Sequence, residues 1–449
     1  MRSLNIKRTV DFTKGPITKP LLLFALPMLF GNILQQMYSI TDSIIVGRFL
    51  GDVALAAIGA SSPVVRLSIS MIIGFTLGVS VVISHYFGAH DDESVRRAVA
   101  TSCTFFFYCS IAISIVGYIA TPYILEAMDT PPDAMEDAIK YLRVSFIGSL
   151  LMIGYNVVNS VFRGLGNSKL PLCMLLLSTL LNVVLDVFFV FALRLGVAGT
   201  AWATVISQGI AFMLSFAYFQ RMYKEYAFSF RSTHFYRGDL FRILKIGVPS
   251  GVKGSMYWLG FVLITGVVNS YGAFAIAAFS TASKIDSFVQ TPMIALSSSL
   301  STYVAQNVGA KQEGRIRKGV RVSILLSLLF AFVMTVSVFF FAEKLMYLFT
   351  DNESVIELGS QYLKIVSVLY IVYVLQEVPQ GVAIGCGDTL WLMLSTICAM
   401  WVVRLPLCMI LSKSVGLKGV WLSMPSGWFV ALLFCGGYYI SGYWKKRVV

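Results

Sequence analysis

The chain has 449 residues, 57% of them hydrophobic and 13% charged, with a formal net charge of +13 and a mean hydropathy of +0.78. Soluble domains carry about 25% charged residues, so this composition excludes an ordinary soluble enzyme or binding module and describes a polytopic membrane protein. The positive charge does not point to nucleic acid, because Lys and Arg sit in short stretches between apolar runs. The seven cysteines fall inside those runs with no C-x-x-C pair and no His/Cys cluster, so no zinc or redox motif is present.

In chain order, the opening residues are basic and polar, and no small-residue cleavage site follows a short apolar core, so a removed leader is not expected. The first apolar run, Leu21 to Gly47, can cross a bilayer as a helix, which takes about 20 residues. It carries Pro27 near its start and Asp42 in its second half. A carboxylate inside a membrane helix costs a few kcal/mol and reads as functional, against the plainer reading of an acid that fixes packing through a basic partner. Proline removes one backbone hydrogen bond and leaves a kink, so this helix has the makings of a moving part.

Further runs centre near Ile72, Tyr108, Leu150, Leu181, Ile206, Leu259, Pro292, Leu329, Tyr370, Ala399 and Leu432, for 12 spans in an all-α membrane fold. Those at Ile72 and Pro292 are long. An even count puts both termini on one side. Most of the 35 Lys and Arg lie in the two tails and in the loops after spans 2, 4, 6 and 8, which makes that side cytoplasmic.

An internal repeat organises the whole. Ala25-Leu-Pro27 returns as Gly247-Val-Pro249, and Tyr86-Phe-Gly-Ala-His90 as Asn307-Val-Gly-Ala-Lys311. Arg163-Gly-Leu-Gly-Asn167 returns as Ile384-Gly-Cys-Gly-Asp388, and Gly196-Val-Ala-Gly199 as Gly416-Leu-Lys-Gly419. Four matches in order, all offset by about 221 residues, indicate duplication. The expected organisation is an N-terminal lobe of six helices over 1–222, a basic cytoplasmic linker over 223–245, and a C-terminal lobe of six helices over 246–449. Parallel repeats of this kind are a common transporter plan, with the substrate path between halves.

The halves differ in the charges within their spans. Asn182 and Asp186 are four residues apart and share a helix face, as do Tyr38 and Asp42. Such a face can take up a proton, or Na+ through oxygen ligands at Asp42, Asn182 and Asp186. The alternative is a structural hydrogen-bond network. In the second half, Glu377 holds the repeat position of Asn156; it either pairs with Lys253 or Arg404 or faces a cavity as a receptor for cationic substrate. Lys284 and Asp286 are only two apart and point in different directions on a helix. Abundant Phe, Tyr and Met suit a pocket for planar cations, although most of them face lipid or other helices.

With these residues assembled, the chain resembles the multidrug and toxic compound extrusion (MATE) family over nearly its whole length. The resemblance rests on Pro27…Gln36…Asp42-Ser-Ile-Ile-Val-Gly47, on Arg163 to Asn167, on the Asn182…Asp186 pair and on Gly196-Val-Ala-Gly-Thr-Ala-Trp-Ala-Thr204. It implies an antiporter that exports organic cations or other xenobiotics by alternating access in exchange for H+ or Na+, without a cofactor. It implies a cation site at Asp42, Asn182, Asp186 and Thr204, with Pro27 as hinge. Gln36, Tyr38, Asn156, Tyr257 and Glu377 are the substrate-pocket candidates. One branch of the family carries an acid in span 7; here Lys253-Gly-Ser-Met-Tyr257-Trp258 has none, which favours coupling in the first lobe. The expected setting is the plasma membrane, as a monomer, with a small drug-like cation as partner. The runner-up is a flippase of lipid-linked or other amphiphilic substrates in the same broader superfamily. An enzyme is not expected, since no H-E-x-x-H or G-x-S-x-G motif occurs.

Overall fold

The computed structural model describes residues 9–228 and 235–448; within helices, the side chains at 39–45, 48, 52 and 55 lie outside the described set. The first half is built from α1 (Thr18–Phe49), α2 (Gly51–Gly88), α3 (Asp92–Ala127), α4 (Pro132–Ile147), α5 (Ser149–Gly164), α6 (Lys169–Val187) and α7 (Gly196–Met222). The second has α8 (Arg237–Asn269), α9 (Ala273–Gly309), α10 (Glu313–Tyr347), α11 (Glu353–Ser367), α12 (Tyr370–Gly385), α13 (Thr389–Ile397), α14 (Leu405–Val415) and α15 (Leu417–Ile440). There is no strand among the described residues. α8 begins at Arg237, inside the stretch read as linker, so the connection between halves is shorter than the sequence suggested.

Nine helices among the described residues are long and apolar enough to span a bilayer. The pairs α4/α5 and α11/α12 add two more spans, bent by 49° and 54°. α9 is rich in Ser and Thr and carries Lys284 and Asp286, which lowers its hydropathy; it stands at the repeat position of α2 and makes the twelfth. α2 and α9 run to 38 and 37 residues, longer than the hydrocarbon thickness demands at 1.5 Å per residue.

The duplication is written in the backbone as well. Eight of the twelve described residues with positive φ form pairs at the repeat offset: Gly51 with Gly272, His90 with Lys311, Gly166 with Gly387, and Gly196 with Gly416. His90 and Lys311 have φ of 57° and 56°, which L-residues seldom adopt. The same turn geometry therefore ends α2 and α9. Each half also contains a π-helical segment in its fifth span, Phe188–Ala192 after α6 and Cys398–Arg404 between α13 and α14.

The chain forms two compact units. One holds the described residues up to Val10 together with Phe30–Gly247; the other holds Asp11–Leu29 and Val248 onward. The divisions fall inside α1, just after Pro27, and inside α8, just before Pro249. Local packing explains both. In the second unit, Ser299 Oγ on α9 donates to the Leu21 carbonyl at 2.8 Å, and Phe12 N–H donates to Gln306 Oε1 at 2.9 Å. Arg315 donates to the carbonyls of Phe12, Lys14 and Gly15 at 2.9–3.3 Å. In the first unit, α2 and the start of α8 meet through glycine. A Cβ on Gly78 would lie 2.3 Å from the Ile243 carbonyl oxygen, and one on Gly247 would lie 2.8 Å from Phe75 Cα. Such small-residue contacts let two helix backbones approach closely.

The core of the second unit centres on Trp421, fully buried on α15. Phe279 of α9 stacks on it at 5.6 Å, and Tyr362 of α11 meets it edge-on at 5.2 Å. At the α4/α5 bend, Gly148 leaves room for Val205 of α7, whose Cγ2 would be 2.1 Å from an added Cβ. At the α11/α12 bend, Thr335 Oγ1 donates to the Ser367 carbonyl at 2.8 Å and answers a backbone group the bend releases.

Gly78→Ala is expected to lower stability by about 1–3 kcal/mol through overpacking against backbone. Gly59, which has open space around it, should tolerate Ala or gain up to about 1 kcal/mol. Unfolding curves of the two variants in detergent distinguish a close α2–α8 contact from a general effect of glycine loss.

Candidate functional site

In the first unit, α1, α6 and α7 bring four predicted side chains together. Tyr38 Oη lies 2.7 Å from Thr204 Oγ1. The Asn182 amide nitrogen donates to Asp186 Oδ2 at 3.0 Å, and its amide oxygen accepts from the Thr204 N–H at 3.2 Å. That end of the amide is also 3.3 Å from Thr204 Oγ1. Asn182 and Asp186 are 1% and 0% exposed. Their four-residue spacing puts them on one face of α6, and the π-helical turn begins just after Asp186. π-turns in helices often mark functional positions.

Tyr38 is one turn before Asp42 on α1, so the backbone places both positions on the same face. The Asp42 side chain lies outside the described residues. Pro27 is inside α1, next to the division between units. Gln36 is half-buried and makes other contacts; no described contact joins it to the Tyr38–Thr204 pair. Asn156 donates to the Met152 carbonyl of its own helix at 2.8 Å, one turn back. Among the described residues no cluster of three His, Cys, Asp or Glu side chains stands ready to hold a metal ion. The oxygens of Asp186, Asn182, Thr204 and Tyr38 nevertheless have the hardness that suits Na+, as well as the carboxylate that suits a proton.

The second unit buries both signs of charge. Glu377 Oε1 accepts from Gln380 Nε2 at 2.9 Å and from Gln376 Nε2 at 3.1 Å, while Gln380 Oε1 accepts from Lys253 Nζ at 2.5 Å. Gln380 thus relays between the Lys253 ammonium and the carboxylate, and no described ion pair joins Glu377 directly to Lys253 or Arg404. Tyr257 is 40% exposed and lies edge-on to Trp258 at 6.1 Å, apart from the Glu377 relay.

Asp286 was passed over in the sequence and is the best-furnished acid of the second unit. It accepts from Gln290 Nε2 at 2.7 Å, Tyr370 Oη at 2.9 Å and Tyr362 Oη at 3.4 Å. Tyr362 is the ring that meets Trp421, so the core fixes one of the donors. The signal was there: a lone acid within a span is functional by default. Its two-residue separation from Lys284 gives the pair no shared helix face. Arg404 ends the π-helical segment, 6% exposed, with Nη2 2.6 Å from Met424 Sδ.

Twelve spans in two repeats, with polar side chains held inside each half, define a membrane transporter of the duplicated-bundle type. The family model MatE matches residues 27–188 and again 249–410, so the chain belongs to the MATE family of transporters and is not an enzyme. It is 29% identical over 446 residues to a protein of Bacillus subtilis (strain 168) named "Probable multidrug resistance protein YoeA", covering 97% of this chain and 96% of that one. It is 30% identical over 439 residues to "Probable multidrug resistance protein YpnP" of the same strain, covering 98% of each. A crystal structure of MATE in the bent conformation shares the fold, with a TM-score of 0.91 at 24% identity over 98% of this chain and 99% of the other.

Tyr370→Phe should cost about 1–3 kcal/mol of stability by withdrawing a donor from a buried acid. Tyr362→Phe, whose oxygen is more distant, should cost less of that term. Unfolding of both variants and of their combination with Asp286→Asn measures it: the penalty of Tyr370→Phe should shrink once the carboxylate is gone.

Proposed function

We propose that the protein is a secondary antiporter that exports organic cations and other xenobiotics in exchange for H+ or Na+, by alternating access of its two repeats. The observation that carries this is the Asp186–Asn182–Thr204–Tyr38 cluster, with Asn182 and Asp186 buried and Tyr38 and Thr204 partly so. It supplies an acid with hydrogen-bonding neighbours, and Tyr38 belongs to α1. The names of the relatives, multidrug resistance proteins, support the class of substrate.

The mechanism follows from electrostatics. An ionised carboxylate in a low-dielectric interior is costly, and taking up a proton or Na+ relieves that cost. The change alters what Asp186 asks of Asn182, and what Asn182 and Thr204 then offer Tyr38. α1 is the element that registers the change. Pro27 lets it bend, because the backbone there already lacks one hydrogen bond. Cationic substrate and coupling ion both draw on the same negative charge, so binding of one lowers affinity for the other, and antiport needs that antagonism. Second-half acids compete poorly for this role. Glu377 is answered by a lysine through Gln380, and Asp286 by three donors of the second unit's core, whereas Asp186 is linked through Asn182 and Thr204 to Tyr38 on the proline-bearing α1. The Lys/Arg distribution supports a plasma-membrane orientation with both termini in the cytoplasm, and the presence of both repeats in one chain supports a monomer as the working unit.

Everted vesicles or proteoliposomes containing the protein, a fluorescent cationic dye, and an imposed pH or Na+ gradient test this reading. Dye movement should follow one gradient and fall to background in Asp186→Asn and Asp42→Asn, while Glu377→Gln keeps it. Movement that survives both first-half substitutions would overturn first-half coupling, and no dye movement under either gradient would overturn export of that cation. Pro27→Ala is expected to bind dye as the natural protein does, yet to transport about tenfold more slowly, because conformational steps set many turnover rates. Equilibrium binding and flux measured on the same preparation separate those two effects.

A further inference from the structure

Where α8 begins, the first unit has a polar cavity of about 450 Å³. It is lined by Tyr86 from the end of α2, Arg97 from α3, and Tyr236, Arg237, Asp239 and Arg242 from the start of α8. Asp239 is its buried anchor. Tyr86 Oη donates to Asp239 Oδ1 at 2.6 Å, and Arg97 Nε lies 3.7 Å from Oδ2. Arg242 Nη1 donates to Tyr86 Oη at 2.7 Å, so it reaches the carboxylate only through the phenol. Arg97 also lies over the Tyr236 ring, 5.4 Å from its centre.

Three guanidinium groups therefore face two carboxylates, and both carboxylates are engaged. The second, Asp91, accepts from Ser94 Oγ at 2.6 Å and Ser94 N–H at 3.0 Å. These bonds hold it below the usual carboxylate range and keep it ionised as the cap of α3. Arg237 is exposed and has no acceptor among the described residues, and Arg242 has only the Tyr86 hydroxyl and ring.

The repeat supplies an internal control. The equivalent place in the second unit is where the chain enters α1 beside the first turn of α10. There Arg315 spends its donors on the carbonyls of Phe12, Lys14 and Gly15. One repeat closes the position with backbone; the other leaves arginine forks facing open volume.

We propose that this cavity binds a phosphate group, carried by an anionic lipid headgroup or by a small soluble phosphate. Planar guanidinium forks match phosphate oxygens two at a time. Basic pockets at helix ends near the membrane surface suit such headgroups. A bound phosphate would bridge Arg237 and Arg242 on α8 and, facing Arg97 in the same cavity, tie the first turns of α8 to the start of α3.

The test uses the full-length protein, purified and stripped of lipid. Native mass spectrometry compares retention of phosphatidylglycerol and phosphatidylcholine, and thermal unfolding compares inorganic phosphate with chloride at equal ionic strength. Phosphatidylglycerol should be retained about tenfold better than phosphatidylcholine by the natural protein, and equally by the Arg237→Gln/Arg242→Gln variant. Arg221→Gln/Lys224→Gln removes the same charge from the stretch just before the cavity and should keep the preference. A preference for phosphatidylglycerol assigns the lipid source. Stabilisation by phosphate alone, lost in Arg237→Gln/Arg242→Gln, assigns the soluble one. If that variant does not fold, Arg237→Ala and Arg242→Ala made singly replace it, each expected to lose part of the preference. Equal retention of both lipids with no phosphate effect overturns the site, as does a control variant that loses as much as the cavity variant.

Discussion

A carboxylate closed off from water inside a helix bundle has to be answered by its neighbours, and Asp186 makes that demand on the first half of this protein. Its nearest described donor is Asn182, one turn away on α6. Asn182 in turn holds the Thr204 backbone on α7, and Thr204 meets Tyr38 on α1. Each link is a hydrogen bond between a different pair of positions, so three helices are registered to one another by the needs of one acid. Withdrawing its charge changes the terms for all three. The described networks of the second half are built differently: Lys253, Gln380 and Glu377 form a relay between opposite charges, and Asp286 sits among two tyrosines and a glutamine.

The repeat gives both halves the same scaffold, and divergence then assigns them different chemistry. The left-handed turns at Gly166 and Gly387, or at His90 and Lys311, are kept because backbone conformation closes the turn whatever side chain follows. Polar residues inside the spans are under no such obligation. Asn156 uses its amide on its own helix, while its counterpart Glu377 is drawn into a relay with a different helix. The π-helical turn persists in both fifth spans, yet it follows an aspartate in one and ends in an arginine in the other.

Much of this was legible in the sequence, for identifiable reasons. Apolar runs separated by basic loops reveal spans because the bilayer forbids unsatisfied backbone. Glycine-bearing turns at one constant offset reveal duplication because such turns tolerate few other residues. The Asn182–Asp186 pair was visible because a four-residue spacing fixes a shared face on any helix. Asp286 was not recognised, since its donors Tyr362 and Tyr370 come from distant sequence and only folding joins them. The π-helical turns leave no composition signal, because Phe188–Ala192 and Cys398–Arg404 are ordinary apolar membrane sequence. The expected pairing of Glu377 with a base needed a glutamine between them, and spacing alone does not show an intermediary. Neither did the repeat show that the divisions between compact units fall within α1 and α8. That follows from tertiary contacts such as Ser299 with Leu21 and Gly78 with Ile243.

The Ser299–Leu21 bond has a bearing on how the protein is made. Leu21 leaves the ribosome early, but the hydroxyl that answers its carbonyl belongs to residue 299. Gln306, Asn307 and Arg315, which hold Phe12 to Gly15, come later still. These contacts of Phe12 to Leu21 can therefore form only once α9 and the first turn of α10 have been synthesised. The segment from Phe12 to Leu21 is made well before the residues that hold it. A chain cut between the repeats would strand it, so biogenesis of this transporter is complete only when the later half returns to collect the earliest part of the first.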